Sequence, residues 1–263
     1  MSGKRLRLLS YMVGGFPLSL FERIADVLDA DLEYDLERSG PAPGDDPFAD
    51  GRADLGWICS TSFVELSTRG PQPSIRIGGV AWVPDDPTVD QGYQDQPVYF
   101  GDVVTRDKVG ELAALEGRSI GCNDQVSLSG HYALRFALRE GGFDPDRFGD
   151  LQFTGGHLES LAQVIDGRLD AATIDSVVLT QAVRTDESAA ALHRVTRLGP
   201  WPTQPLVASS RLPVEQVAEL QQALLASNDD PAMRAELQAA SLRRFVAVEP
   251  DHYDTVRAAL ARA

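Results

Sequence analysis

The sequence contains little of what several common functions require. Only two of its 263 residues are lysines, Lys4 and Lys108, so a cofactor bound as a lysine Schiff base has almost no attachment point. Asp and Glu outnumber Lys and Arg by 39 to 24, which gives a formal net charge of −15. This balance argues against the clustered basic surface that holds nucleic-acid phosphates. We therefore expect neither a cofactor nor a nucleic-acid partner.

Long apolar runs are also missing. No stretch approaches the roughly 20 apolar residues that cross a bilayer, so we expect no membrane span. The basic N-terminus has too short an apolar run for the core of a signal peptide. The sequence as printed therefore predicts a cytoplasmic protein, and a periplasmic or extracellular location is expected only if a leader has been removed.

Cysteine and histidine are scarce and widely spaced. The four histidines and the two cysteines do not form the closely spaced ligand pairs of a zinc site, and we expect no metal. Cys59 and Cys122 lie far apart in the chain, and in a protein without a leader we predict two free thiols.

The apolar spacing predicts strands that alternate with helices along the whole chain. Leu18–Leu28 has the spacing of an amphipathic helix, and Ile75–Val83 has the composition of a buried strand. Strands regularly separated by helices indicate parallel sheets with helices on both faces. The acidic stretches 39–46 and 84–96 are predicted to be surface loops. Other predicted elements are strands at 119–122, 151–153 and 206–209, and helices at 109–115, 130–140, 157–165 and 214–226.

Three short polar segments each follow a predicted strand and begin a predicted helix. They are Trp57–Ser62, Asn123–His131 and Thr154–His157. The first turn of a helix has unpaired N–H groups and a partial positive charge, so it is suited to binding an anion. Any one segment alone is explained by helix capping. Because all three lie at strand-to-helix turns, we expect them to face one cleft.

The acidic net charge does not contradict such a cleft. The predicted cleft consists of hydroxyls, glycines, one histidine and helix N-termini, and it contains no lysine. We therefore expect a small electropositive cleft made by dipoles inside an acidic exterior, with the anion bound only at short range.

The motifs resemble those of the phosphonate/phosphate/phosphite-binding proteins of ABC transporters. The resemblance covers most of residues 50–210. It rests on Gly51-Arg-Ala-Asp-Leu-Gly56, Tyr99 within Val98–Thr105, Gly117-Arg-Ser-Ile-Gly-Cys122, Ser127-Leu-Ser-Gly130, Gly155-Gly-His157 and Asp166-Gly-Arg-Leu-Asp-Ala-Ala-Thr-Ile-Asp175.

The resemblance implies a type II periplasmic-binding-protein fold, with two α/β lobes joined by two hinge crossovers. Lobe one is expected at residues 1–101 and 202–263, and lobe two at 102–201. The ligand cleft would lie between the lobes, which would close around the ligand.

The resemblance also implies roles for individual residues. Ser127, Ser129 and the N–H groups near Gly130 would hold a phosphonate-like oxyanion, to which His157 would also donate. Tyr99 would close the pocket from the hinge, and Asp175 would face an amine or hydroxyl of the ligand. Trp57 and Ser60 would represent lobe one, beside the hydroxyl of Thr61.

One position departs from the family pattern. Leu128 stands where the family has a threonine, which removes a hydroxyl and is expected to place an apolar side chain at the mouth of the pocket. This predicts a ligand with apolar character or a smaller polar head. Trp57 and Trp201 either stack on a planar ligand or pack in the core and the hinge.

These observations favour a solute-binding protein that captures a small polar or anionic, phosphonate-like metabolite between two lobes. It would deliver this ligand to a transporter permease or sense it for a signalling partner. The alternative is a cytoplasmic enzyme on the same fold, a lyase, a dehydratase or an enzyme of small-metabolite biosynthesis. In such an enzyme His157 and Asp175 would act as acid and base. A ligand-sensing domain without a DNA-reading element is the third hypothesis.

Overall fold

A computed structural model describes residues 5–262 of the protein. Lys4 and the first residues of the predicted lobe one lie outside this range. The strands are β1 (Leu6–Ser10), β2 (Ala30–Tyr34), β3 (Leu55–Trp57), β4 (Ile75–Ile77), β5 (Val80–Pro84), β6 (Val98–Thr105), β7 (Ser119–Cys122), β8 (Asp150–Phe153), β9 (Ala171–Asp175), β10 (His193–Pro202), β11 (Leu206–Ser209) and β12 (Leu242–Ala247). The α-helices are α1 (Leu18–Val27), α2 (Ser60–Thr68), α3 (Ala133–Glu140), α4 (His157–Ile165), α5 (Ser176–Thr185), α6 (Glu187–Ala190), α7 (Val214–Ala226), α8 (Pro231–Ala239) and α9 (Asp254–Leu260).

The strands form two five-stranded sheets and one pair. The first sheet has the order β2-β1-β3-β11-β4, and the second has the order β10-β6-β9-β7-β8. The third sheet consists of β5 and β12 alone. The predicted mixed α/β architecture is therefore present, with two separate sheets.

The spacing of strands and helices predicts parallel sheets, but both large sheets are mixed. β1 pairs parallel with β2 and β3, but β11 runs antiparallel to both β3 and β4. In the second sheet β6 is antiparallel to both β9 and β10. The reversed strands are those that carry the chain between the sheets: β6 leads into the second sheet, β10 leads out of it, and β11 re-enters the first.

The predicted strand Ile75–Val83 is in fact two strands in different sheets. Gly78 and Gly79 separate β4 from β5, and Gly79 has a φ of +73°, which an extended strand cannot accommodate. Because only glycine adopts such a φ readily, the chain turns here and β5 leaves the first sheet.

Two predicted helices are of a different type for part or all of their length. The segment Leu128–Tyr132 is a short π-helix, and α3 follows it from Ala133. The predicted helix at 109–115 is a 3₁₀ turn at Leu112–Leu115.

The hydrophobic core lies on both faces of the sheets. Two consecutive residues of β6 belong to different hydrophobic clusters, one on each face of the second sheet. Val103 packs with Leu134 and Leu138. Val104 packs with Leu161 and other residues on the opposite face. Since side chains alternate across a strand, helices must cover both faces of the second sheet. A larger cluster surrounds the first sheet.

The two predicted surface loops are only partly exposed. In the stretch 39–46, Gly40 and Pro41 are buried, and the backbone of Ser39 is tied to the rest of the structure by hydrogen bonds. In the stretch 84–96, Asp86 is 3% exposed because its carboxylate is used in an ion pair.

That ion pair belongs to a group that we call the Arg197 cluster, made of Asp86, Asp102 and Arg197. The guanidinium of Arg197 donates two hydrogen bonds of 2.7 Å to the two carboxylate oxygens of Asp102 and one of 3.0 Å to Asp86. It also lies over the ring of Phe100, 5.0 Å from its centroid. The cluster thus ties β6 and β10 to the loop after β5.

Candidate functional site

The carboxyl ends of parallel strands from both large sheets surround one cavity. It encloses about 450 Å³ of empty space, part of it open to solvent. We call it the central cavity. Its lining residues are Tyr11, Met12, Gly14, Gly15, Phe16, Leu36, Arg38, Ser39, Cys59, Tyr99, Asn123, Asp124, Ser127, Ser129, Gly155, Gly156, His157, Asp175, Val178 and Gln204.

Five of the nine residues expected to bind the ligand line this cavity: Tyr99, Ser127, Ser129, His157 and Asp175. The polar segments after β7 and β8 thus face each other across it, as the positions of strand ends in an open sheet favour. From the segment after β3, only Cys59 reaches the lining.

Ser127 and Ser129 bring two buried hydroxyls to the cavity. The Ser127 hydroxyl oxygen accepts a hydrogen bond of 3.1 Å from the N–H of Gly130 and so caps the π-helical segment. The hydroxyl hydrogen of Ser127 is left for another acceptor. The N–H of Gly130 is already used, and a side-chain carbon there would lie 1.9 Å from Oδ1 of Asn123. Gly130 therefore permits close packing, and its N–H is used in the cap of the π-helical segment.

His157 is the first residue of α4, and its side chain is half-buried in the cavity lining. The backbone N–H of Asp175 donates to Nδ1 at 3.3 Å, and Nε2 lies 3.5 Å from the hydroxyl oxygen of Ser129. Burial lowers the pKa of His157 to about 4, so the ring is neutral at pH 7. If Nδ1 accepts this hydrogen bond, the proton lies on Nε2, which is then a neutral donor.

Asp175 ends β9 and caps α5. Its Oδ1 accepts a hydrogen bond of 2.8 Å from the N–H of Val177, and its Oδ2 accepts one of 3.1 Å from the amide of Gln204. Burial raises the pKa of Asp175 to about 7. Among the described residues, the link between Asp175 and His157 is through the backbone N–H. Within residues 5–262 no hydrogen bond joins the Asp175 carboxylate to the imidazole of His157.

Asp124 is a second buried carboxyl in the lining, and the sequence argument did not single it out. Its Oδ2 accepts hydrogen bonds from the N–H and the hydroxyl of Ser39, at 2.9 and 2.7 Å, and one of 2.9 Å from the amide of Asn123. Burial raises the pKa of Asp124. Two buried carboxyls thus line the cavity beside the neutral donors, which the expectation of a small electropositive cleft did not include.

Two polar atoms of the lining residues are buried and have no hydrogen-bond partner among residues 5–262. They are the hydroxyl of Tyr99 and Oδ1 of Asn123. Burial raises the pKa of Tyr99 well above 10, so this hydroxyl remains protonated. The cavity therefore has an unused donor and an unused acceptor, and leaving such groups unpaired costs free energy.

The other residues expected from lobe one lie outside the cavity lining. Trp57 is fully buried and stacks on Trp82, with ring centroids 4.5 Å apart, because β3 is a central strand covered on both faces. The hydroxyl of Ser60 donates to the Pro202 carbonyl oxygen at 2.9 Å, and that of Thr61 donates to the Val126 carbonyl oxygen.

Trp57 nevertheless contacts a lining residue of the cavity, Gln204. Its indole N–H donates to the Gln204 carbonyl oxygen at 3.0 Å, and that of Trp82 donates to the Gln204 side-chain oxygen at 3.2 Å. The Gln204 amide then faces Asp175. The two tryptophans are therefore positioning residues that fix this amide.

Leu128 and Trp201 also lie outside the lining. Leu128 is fully buried in the cluster around the first sheet, so it does not stand at the mouth of the pocket as expected. Trp201 packs against the ring of Phe136, with centroids 5.7 Å apart.

The segment between β1 and α1 is the part of the site that the sequence argument missed. It places Tyr11, Met12, Gly14 and Gly15 in the lining. The signal was present, since Gly14-Gly15 follows a strand just as Gly155-Gly156 does. At the edge of the cavity lies Arg38, a partly exposed cation 3.6 Å from a carboxylate oxygen of Asp35.

Three further expectations concern metals, thiols and membranes. Within residues 5–262, no group of three or more His, Cys, Asp and Glu side chains has an arrangement that would hold a metal ion. Cys59 and Cys122 are both free and buried, as predicted. Of the helices in this range, none has the length and apolar character needed to cross a membrane.

The chain resembles several solved binding proteins. A binding protein component of an ABC phosphonate transporter from Pseudomonas aeruginosa is 15% identical with a TM-score of 0.76, covering 98% of this chain and 86% of that one. PhnD1 from Prochlorococcus marinus, in complex with methylphosphonate, is 16% identical with a TM-score of 0.74, covering 98% and 97%. A Xanthomonas citri protein bound to chloride ion is 14% identical with a TM-score of 0.72, covering 98% and 97%.

At such identities the likeness shows the fold, and it confirms the two-lobed α/β architecture that the motifs implied. No curated protein sequence matches the chain. A family model described as ABC transporter, phosphonate, periplasmic substrate-binding protein matches residues 20–253. Members of this family are periplasmic, and membership implies a small-molecule ligand and a transporter partner. The chain belongs to the family of phosphonate ABC-transporter substrate-binding proteins, and its function is to bind a solute.

Proposed function

We propose that the central cavity binds a small solute with an oxyanion at one end and a hydrogen-bond donor, such as an amine, beside it. The observation that carries this proposal is a lining whose buried part contains no Lys or Arg but offers both neutral donors and a buried carboxyl. The neutral donors include the hydroxyls of Ser127 and Ser129, and the carboxyl is that of Asp175.

The donor side suits a phosphonate-like group. The hydroxyls of Ser127, Ser129 and Tyr99 and the Nε2–H of His157 are all neutral donors at the lining. The first N–H groups of α4 lie beside them at Gly156 and His157. An oxyanion that accepts several fixed hydrogen bonds at a helix N-terminus is stabilised without a full positive charge.

The acceptor side suits an amine. Oδ2 of Asp175 has one lone pair left after it accepts from the amide of Gln204. A phosphonate dianion near an ionised Asp175 would be repelled, whereas an ammonium would be attracted and would lower the pKa of that carboxyl. The lining therefore favours a zwitterionic solute over a simple dianion.

We also propose that the protein divides into lobes at 1–101 with 202–263, and at 102–201. In support, the boundaries fall within β6 and β10, the paired strands that connect the two sheets. Across the cavity, Ser39 donates to Asp124 and Gln204 donates to Asp175. Both contacts would join lobe one to lobe two around a bound solute, as in a hinge closure.

We further propose that the partner is a transporter permease, to which the protein delivers its solute outside the cytoplasmic membrane. The periplasmic description of the family supports this location. Cell fractionation with an antibody against the protein tests it. Recovery with the periplasmic fraction supports delivery to a permease, and recovery with the cytosol contradicts it.

Calorimetric titration tests the ligand class, with methylphosphonate and 2-aminoethylphosphonate as probes at pH 7. We expect the amine-containing probe to bind more tightly. Ser129→Ala should weaken binding of both probes by about 1–3 kcal/mol, as expected for a hydrogen bond to a charged group. Ser188→Ala, at an exposed serine of α6, is the control and should leave both affinities unchanged.

Asp175→Asn separates the two ends of the ligand. Asparagine also caps helices, so α5 should remain intact. The variant should weaken 2-aminoethylphosphonate while leaving methylphosphonate unchanged or tighter. Equal losses for both probes would contradict the amine assignment. Native mass spectrometry of the purified protein adds an independent result, because a carried ligand without an oxyanion would contradict the donor side.

A further inference from the structure

A second groove lies apart from the central cavity, and the two share no lining residue. It encloses about 910 Å³ of empty space, part of it open to solvent. Helix α3, the end of β10 and helix α9 line it. Its lining includes Phe136, Arg139, Trp201, Ala258, Ala259 and Arg262.

The groove has an aromatic and apolar wall. The rings of Phe136 and Trp201 are tilted by 52°, with centroids 5.7 Å apart, and Ala258 and Ala259 line the side formed by α9. Such a wall accommodates a flat apolar group, since aromatic rings favour offset or tilted contacts with one another.

The groove also has unused positive charge. Arg135 on α3 and Arg257 on α9 are paired with Asp146 and Asp254. By contrast, Arg139 on α3 and Arg262, which follows the end of α9, form no ion pair and no side-chain hydrogen bond within residues 5–262. In a protein of net charge −15, two unpaired guanidinium groups beside one groove are a local excess of positive charge.

Two N–H groups of the lining residues are buried without a partner. They are Nε1 of Trp201 and one terminal nitrogen of Arg139. The indole groups of Trp57 and Trp82, by contrast, both donate to Gln204. One acidic side chain, the exposed Glu140, also lines the groove, and one negative charge does not balance two positive ones.

We infer that this groove binds an aromatic carboxylate. The ring would lie against Phe136 and Trp201, and the carboxylate would accept hydrogen bonds from Arg139 and Trp201, with Arg262 nearby. Guanidinium groups bind carboxylates through paired N–H donors, and the indole N–H completes the set. This site is independent of the solute proposed for the central cavity.

Nuclear magnetic resonance of the full chain tests the inference, with 2-naphthoate as the probe. The three tryptophan indole N–H signals of ¹⁵N-labelled protein are followed during the titration, and Trp201→Phe identifies the signal of Trp201. We expect this signal to shift with saturation while those of Trp57 and Trp82 stay in place. Arg139→Gln should weaken binding about tenfold, the loss expected for one charge-assisted hydrogen bond. Arg262→Gln removes only a nearby charge and should weaken binding less.

Arg147→Gln is the matched control, because the Arg147 side chain is 88% exposed and lies outside the groove. It should leave the affinity unchanged. A Trp201 signal that does not shift with millimolar 2-naphthoate would overturn the inference. An equal affinity for neutral 2-naphthamide would overturn it too, because the arginines would then have no role. If Ser129→Ala abolishes the shift, the probe occupies the central cavity and the second site is refuted.

Discussion

The Arg197 cluster and the central cavity each bury two aspartates, but they compensate them differently. In the Arg197 cluster one guanidinium lies within 3.0 Å of both Asp86 and Asp102. In the central cavity Asp124 and Asp175 accept hydrogen bonds only from neutral N–H and O–H groups. The first arrangement places a cation against both carboxyls, whereas in the second burial raises the pKa of Asp124 and of Asp175.

The difference indicates which region holds the fold together and which is prepared for a ligand. A buried ion pair is costly to break, because removing one partner leaves an uncompensated charge. Asp124 and Asp175 of the central cavity are held by neutral donors, so a cationic group of a ligand can still pair with them. Perturbed pKa values of this kind gather at functional sites. The amine proposed for the solute would supply this cation.

The largest effect should come from removing the cation of the Arg197 cluster. Arg197→Met should lower the free energy of unfolding by about 3 kcal/mol, since Asp86 stays buried without its cation and Asp102 keeps only Arg194, 3.6 Å away. Chemical denaturation measures the change. Arg147→Met is the control at an exposed position and should cost less than about 0.5 kcal/mol. A loss for Arg197→Met as small as that of the control would mean that the cluster does not hold β6 and β10 together.

Asp175 and His157 of the central cavity should have opposite effects on how stability depends on pH. The pKa of Asp175 rises from 3.8 to about 7 on folding, so the folded state binds more protons and its stability falls as pH increases between these values. The pKa of His157 falls from 6.5 to about 4, so the unfolded state binds more protons and stability rises with pH over that window. Each slope is at most about 1.4 kcal/mol per pH unit.

Because the two slopes nearly cancel between pH 4 and 6.5, single variants should reveal them. Asp175→Asn should make stability rise more steeply with pH than in the unchanged protein, and His157→Gln should make it fall. Urea denaturation at half-unit steps of pH measures both. If the two variants change the slope in the same direction, one of the two protonation states assigned to the cavity is incorrect.

A smaller effect should come from the neutral donors that hold Asp124. Ser39→Ala removes the hydroxyl that donates at 2.7 Å and should cost about 1–2 kcal/mol of unfolding free energy. Its loss should also raise the pKa of Asp124 further, because that hydrogen bond stabilises the ionised form. Ser67→Ala, which loses only a bond of 3.1 Å to a carbonyl oxygen of its own helix, is the control. Equal losses would show that the carboxyl adds nothing to this contact.

Local patterns in the sequence were sufficient for the elements that present the site. The helix α4 spans His157–Ile165 and β11 spans Leu206–Ser209, as predicted, because apolar spacing and flanking glycines are local signals. Gly155-Gly156 and the serines after β7 were found in the same way, since strand-to-helix turns can be recognised along the chain.

Long-range pairing limited the remaining predictions. Nothing near Trp57 shows that β3 is flanked by β1 and β11, yet this position buries its ring away from the cavity. Asp124 meets Ser39 across 85 positions in the chain, so the acidic lining depends on how the two sheets face each other. The reversal of β6 and β11 is likewise a property of sheet order, which spacing alone does not encode.

The smallest expected change in stability comes from removing the hydroxyl of one of two buried tyrosines. The hydroxyl of Tyr253 donates to the Thr203 carbonyl oxygen at 3.1 Å, whereas the equally buried hydroxyl of Tyr99 has no partner among the described residues. Tyr253→Phe should cost about 1 kcal/mol, and Tyr99→Phe should cost nothing or stabilise slightly, because it removes an unsatisfied group. Tyr99→Phe should also weaken methylphosphonate binding, measured by calorimetry, while Tyr253→Phe should not. A Tyr99 variant that loses stability and keeps its affinity would place that hydroxyl in the fold and remove it from the site.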